Sequence, residues 1–146
     1  MAIRLFAPVL GLVVGLLLGL AGAAQAQSLS NTDRAAIRQV IQAQVDAFQR
    51  DDGAGAFGFA SPTIQVMFGT PETFMDMVRQ GYQPVYRPRA FDFREIVTLH
   101  GQPAQTVDVI GPDGRPVIAI YPMRQLPDGS WRIDGCFLQA PEQHQA

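Results

Sequence analysis

Few residues in this chain have chemical reach, and they are widely spaced. Glu95 sits in a run where Phe91, Phe93 and Val97 alternate with Asp92, Arg94 and Thr98, and strict alternation puts its carboxyl on the apolar face. Desolvated there, it would serve as a general base for proton abstraction. A β-bulge at Arg94-Glu95 would instead turn Glu95 outward and Ile96 inward. Tyr82, Tyr121 and Trp131 carry polar tips on large apolar bodies, so they could line the same hollow as ligand-binding residues or pack as core. Arg87 and Arg89 could clamp an anion or ride on a solvated connector.

Cys136 is the only cysteine. No cation or helix N-terminus stands beside it in sequence to favour the thiolate, and no neighbouring histidine would activate it as a nucleophile. The expectation is a small buried hydrophobe; the rival is an intermolecular disulfide across a sheet-to-sheet dimer. His100 and His144 are the two histidines, neither at ligand spacing from Cys136, so no metal site is expected. Gly53-Ala-Gly-Ala-Phe-Gly58 matches the dinucleotide fingerprint G-x-G-x-x-G, but a helical pattern precedes it where the chemistry requires a strand. An interhelical turn accounts for those glycines, and no cofactor is expected.

These groups must be positioned by a chain of 146 residues, 47% hydrophobic, which suits one domain. Residues 1–26 hold an early Arg4, an apolar run from Leu5 to Leu20, and Ala24-Gln25-Ala26, the small-x-small pattern of a signal-peptide cleavage site. Cleavage is expected after Ala26; an uncleaved anchor is the alternative. The remainder, 27–146, is read as a single periplasmic or secreted domain with no membrane association after cleavage. Eleven arginines less Arg4 leave ten against thirteen acids, a net charge of −3, with no lysine. No basic stripe with interleaved aromatics appears, so nucleic acid is not an expected partner.

The elements read as helices first and strands second. Ser30 with Asp33 three residues on is a capping pattern, and Ile37, Val40, Ile41, Gln44, Val45 and Phe48 recur at helical spacing up to the Asp51-Asp52-Gly53 break. A short helix is expected over Ala54 to Ala60, a turn of helix near Ile64 to Phe68, and another helix from Thr70-Pro71-Glu72 to Gly81. Pro84 and Pro88 predict an extended connector between Gln83 and Arg89. The period then changes to two. Strands follow from Phe91, from Gln105 to Ile110, from Arg115 to Arg124 and from Ser130 to Gln139. Gly111-Pro-Asp-Gly114 and Leu126-Pro-Asp-Gly129 are hairpin bends of the bulged three-residue kind.

Those bends predict a register: Val109 opposite Val117, Val107 opposite Ala119, Tyr121 opposite Gly135, Met123 opposite Ile133, Gln125 opposite Trp131, and Phe137 opposite Ala119. That face would receive the helices. The other face would hold Thr106, Asp108, Ile118, Ile120, Asp134, Cys136, Leu138, Arg124 and Arg132, too apolar for simple exposure and therefore a possible homodimer surface. The predicted fold class is α+β, with N-terminal helices packed on a curved antiparallel sheet of about four strands.

Several segments carry a resemblance: Gln44-Val-Asp-Ala-Phe-Gln-Arg-Asp-Asp52, Phe57-Gly-Phe-Ala-Ser-Pro62, Phe68-Gly-Thr-Pro-Glu-Thr-Phe74, Met77-Val-Arg-Gln-Gly-Tyr82 and Trp131-Arg-Ile-Asp-Gly-Cys136. Together they resemble a family of short secreted bacterial proteins defined only as a domain of unknown function, similar in turn to the nuclear-transport-factor-like, cystatin-like cone superfamily. The resemblance implies the cone fold and an envelope location, and transfers no catalytic residue. Cone proteins commonly bind small molecules between helices and sheet. Three functions follow as expectations: a noncatalytic module binding a small ligand or a protein partner, a small lyase or isomerase with Glu95 as base, or a homodimeric accessory protein.

Overall fold

The computed structural model describes residues 28–141; the expected signal segment, its cleavage site and His144 lie outside the described residues. Five helices precede five strands: α1 (Asn31–Gln49), α2 (Gly53–Gly58), α3 (Pro62–Phe68), α4 (Pro71–Gly81), α5 (Gln83–Tyr86), β1 (Ala90–Leu99), β2 (Gln102–Ile110), β3 (Pro116–Gln125), β4 (Trp131–Ile133) and β5 (Phe137–Gln139). The fold is α+β.

Local chemistry sets the helix starts. Ser30 and Asp33 form the reciprocal capping box that opens α1. Ser61 and Thr70 each accept a backbone N–H at the starts of α3 and α4, with Pro62 and Pro71 in their first turns, where no N–H is required. Asp52 caps α2 by accepting from the Gly55 N–H at 3.0 Å. A Cβ at Gly55 would collide with that carboxylate, and one at Gly53 would come within 2.9 Å of Met75 Cγ. The cap of α2 therefore explains Gly55 of the apparent nucleotide fingerprint, and close packing against α4 explains Gly53. The expected extended connector is corrected: Gln83–Tyr86 makes one helical turn, because Pro84 in a first turn leaves no intrahelical hydrogen bond unmade.

The sheet runs β1-β2-β3-β4, entirely antiparallel, and β5 also pairs with β3. Both Pro-Asp-Gly bends set the expected register. Val109 meets Val117, Val107 meets Ala119, Met123 meets Ile133 and Gln125 meets Trp131. Gly114 and Gly129 take φ of 80° and 89°, the left-handed conformation each bend demands. A further hairpin joins β1 to β2 through His100 and Gly101, at φ of 51° and 75°. Histidine is among the side chains that tolerate this region, and β2 accordingly starts at Gln102 rather than Gln105.

Two irregularities redirect side chains. In β1 the register shifts between Phe93 and Ile96, so Arg94 and Glu95 together face Thr106. Thr106 Oγ1 donates to the Glu95 carbonyl at 2.6 Å and Gln105 Nε2 to the Arg94 carbonyl at 2.6 Å, which satisfies the carbonyls of the bulge. Glu95 is exposed and Ile96 packs on the core, the arrangement expected of a bulge at Arg94-Glu95 and not of strict alternation, so the inward alternative for Glu95 is corrected.

The second irregularity lies between β4 and β5. Asp134 N–H donates to the Pro122 carbonyl at 2.8 Å, but Pro122 has no N–H to return, and the ladder stops there. Gly135 absorbs the break at a φ of 156°, and pairing resumes one residue out of step, with Ala119 opposite Leu138 and Ile120 opposite Phe137. The expected pairs Phe137 with Ala119 and Tyr121 with Gly135 are therefore corrected. Leu138 and Cys136 pack against the core, and Phe137 is 54% exposed.

The core lies between helices and sheet. It is built from Ile37, Ile41 and Phe48 of α1, Phe74, Met75 and Val78 of α4, and the inward row Val107, Val109, Ala119, Tyr121, Met123, Ile133 and Trp131. Phe74 is the hub of an aromatic cluster, with ring centroids 5.4 Å from Phe57, 5.7 Å from Phe68 and 6.3 Å from Phe48.

Candidate functional site

The inward row does not fill the space in front of α3 and α4. A cavity of about 390 Å³ opens there, within the range of ~300–1,000 Å³ usual for small-molecule sites. Gln44 and Phe48 of α1, Ile64, Met67 and Phe68 of α3, and Phe74, Met77 and Val78 of α4 form one wall; Tyr82 and Val85 follow. Tyr121 and Ile133 supply the sheet side, and Asp134-Gly-Cys-Phe137 completes it. The lining is almost wholly hydrocarbon. Met67 also lines it while 66% exposed, which marks an apolar mouth beside α3.

The break between β4 and β5 equips the cavity with its polar groups. Asp134 is drawn toward the helices, where Ser61 Oγ donates to it at 2.6 Å, Gln102 Nε2 at 2.8 Å and Arg124 Nη2 at 3.4 Å. Ser61 is fully buried; its N–H donates to the Ile133 carbonyl at 2.8 Å, and its hydroxyl accepts from the Ile64 N–H at the start of α3. One serine thus ties the α3 wall to the sheet. The Phe-Ala-Ser-Pro and Trp-Arg-Ile-Asp-Gly-Cys segments, distant in sequence, meet here across a bridge between Ala60 and Ile133.

Deeper in, Tyr121 is 1% exposed, and its hydroxyl has no hydrogen-bond partner. Cys136 lies close enough to act on the phenol, but a thiol is a weak partner and the geometry falls short of a hydrogen bond. Burial pushes the Cys136 thiol up to about 12 and the Tyr121 phenol well above its ordinary range. The same desolvation raises Tyr82, with the proximity of Cys136 adding to it. Two phenols and a thiol therefore stay protonated and neutral in an apolar chamber. A thiol so disfavoured as thiolate is a poor nucleophile.

Of the four residues expected to bind ligand, the fold brings Tyr82 and Tyr121 together at the cavity. Trp131 lies elsewhere in the core: it is 5% exposed, and its indole Nε1 donates to Asp33 Oδ1 at 3.3 Å, tying β4 to the start of α1. Glu95 stands on the outer side of the sheet and does not line the cavity. Arg87 holds the end of α1, donating to the Phe48 carbonyl and to Asp51 at 3.0 Å, with its guanidinium 3.9 Å over the Tyr86 ring. Cys136 and Asp134 were missed as lining residues. Pro122, which would lie opposite Asp134 in the expected register, and Gly135 within a strand were the signals that could have revealed the break.

Among the described residues, no group of three or more His, Cys, Asp and Glu could hold a metal ion, and no helix is long and apolar enough to cross a membrane. No curated protein and no solved structure matches the chain. One family model does match, over residues 30–146, and it takes in every helix and strand described above. By that match the chain belongs to the family described as Domain of unknown function (DUF4864).

Proposed function

We propose that this chain is a noncatalytic envelope protein that binds a small apolar molecule in the chamber between α3, α4 and the sheet. The cavity of about 390 Å³ carries the proposal, because a hollow lined by hydrocarbon and open at an apolar mouth suits an apolar guest. The sequence of residues 1–26 supports the envelope location through its apolar run and small-residue exit. Helices laid over an antiparallel sheet, with a hollow between them, also agree with a cone-like superfamily relationship. The lyase or isomerase alternative draws less support from the chamber, since Glu95 is not among its lining residues.

Native mass spectrometry of the protein as its host produces it is the direct test. The expected spectrum shows the chain with a displaceable low-mass companion. The bare chain alone, from material never exposed to detergent, would count against the proposal. The same spectrum reads the number of subunits and hence the homodimer alternative, for which Ile118, Ile120 and Phe137 are the relevant residues on the outer sheet face.

A further inference from the structure

The polar groups of the chamber define the kind of molecule it takes, an inference that rests on the binding proposal above. Tyr121 is buried to 1% exposure with its hydroxyl unpartnered while its side chain lines the cavity. A buried hydroxyl left without a partner costs roughly 1–3 kcal/mol, so a group that supplies the missing partner gains against any that does not. The lining contains no arginine, lysine or histidine. Its single carboxylate, Asp134, is already engaged by Ser61, Gln102 and Arg124. A carboxylate or phosphate head would enter an apolar chamber whose lining offers no counter-charge, and an ammonium head would compete with Arg124 for Asp134.

We propose that the chamber selects an uncharged amphiphile whose single acceptor oxygen, a ketone, ester or amide carbonyl, takes the hydrogen bond that the Tyr121 hydroxyl otherwise lacks, with the apolar body lying against Phe74, Val78 and Phe48. No bond to the ligand is made or broken. Tyr82 and Cys136 flank the head as further neutral donors.

The test uses the neutral dye N-phenylnaphthylamine and two competitors of equal chain length, methyl nonyl ketone and undecanoate, at pH 8. The ketone is expected to displace the dye at least tenfold more tightly than undecanoate. In Tyr121→Phe, which keeps the ring and removes the donor, the ketone should bind roughly threefold to tenfold more weakly, and its advantage over undecanoate should shrink by the same factor. Undecanoate binding as well as the ketone, or ketone affinity unchanged in Tyr121→Phe, overturns the head-group assignment and leaves the apolar site standing. Failure of the dye to bind either protein overturns the site itself.

Discussion

Asp134→Ala is expected to destabilise the protein by roughly 2–4 kcal/mol. The carboxylate accepts from Ser61, Gln102 and Arg124, and its side chain is 13% exposed. Arg124, 42% exposed, can turn to water and keeps its bond to Thr63, so its share is small. Gln102 keeps the Met123 carbonyl. Ser61 is fully buried, and its hydroxyl would lose its acceptor. Hydrogen bonds to a charged group contribute about 1.5–3 kcal/mol each, and a stranded buried donor adds its desolvation cost. Urea denaturation measures the loss, which is a large part of the ~5–15 kcal/mol usual for a domain. Asp134→Asn, which keeps one acceptor oxygen, should lose less. In a cycle with Ser61→Ala, the two sites should couple by about 1 kcal/mol or more; additive losses would mean that this bond does not join helix to sheet.

The second large effect is alkaline. Folding raises the Cys136 thiol from 9.0 to about 12 because burial penalises the thiolate. Between those values the unfolded chain releases a proton that the folded chain retains. Stability is therefore fully present below pH 9 and falls as pH rises through the window toward 12. One unit corresponds to about 1.4 kcal/mol, so the loss is of order 3 kcal/mol at most by pH 11. Tyr121 and Tyr82, raised for the same reason, act in the same direction from pH 10 upward. Chemical denaturation at pH 8 through 11 should show a decline that is shallower in Cys136→Ala from pH 9 onward. Parallel profiles for the two proteins would place the thiol in contact with water.

How far the fold could be read from sequence depended on whether the deciding interaction was local. The capping box at Ser30 and Asp33, the Thr70-Pro71 start and the two Pro-Asp-Gly bends are short-range chemistry, and each produced the expected element. Alternation is local as well, but its interruption is not. The bulge at Arg94-Glu95 is satisfied by Thr106 and Gln105 from the next strand, so β1 alone could not place Glu95. The break after Ile133 arises because Pro122 lies across from Asp134, a property of the pair. That break puts Cys136 beneath Tyr121 and sends Phe137 outward. The polar part of the chamber was therefore half legible: Tyr82 and Tyr121 could be named, whereas Cys136 and Asp134 required the paired sheet. The empty space itself comes from how α3 and α4 stand off β3, which no periodicity encodes.

Titrating N-phenylnaphthylamine into the protein and its Val78→Trp variant, with thermal melts of both, tests the chamber most directly. Val78 is buried and lines the cavity, so a larger ring there should occupy existing space. The account predicts saturable binding of one dye per chain, affinity at least tenfold weaker in the variant, and a melting temperature no lower than that of the parent. Dye affinity untouched by the substitution, or a fall in stability of the ~1–3 kcal/mol typical of an overpacked core, would show that no such chamber stands between the helices and the sheet.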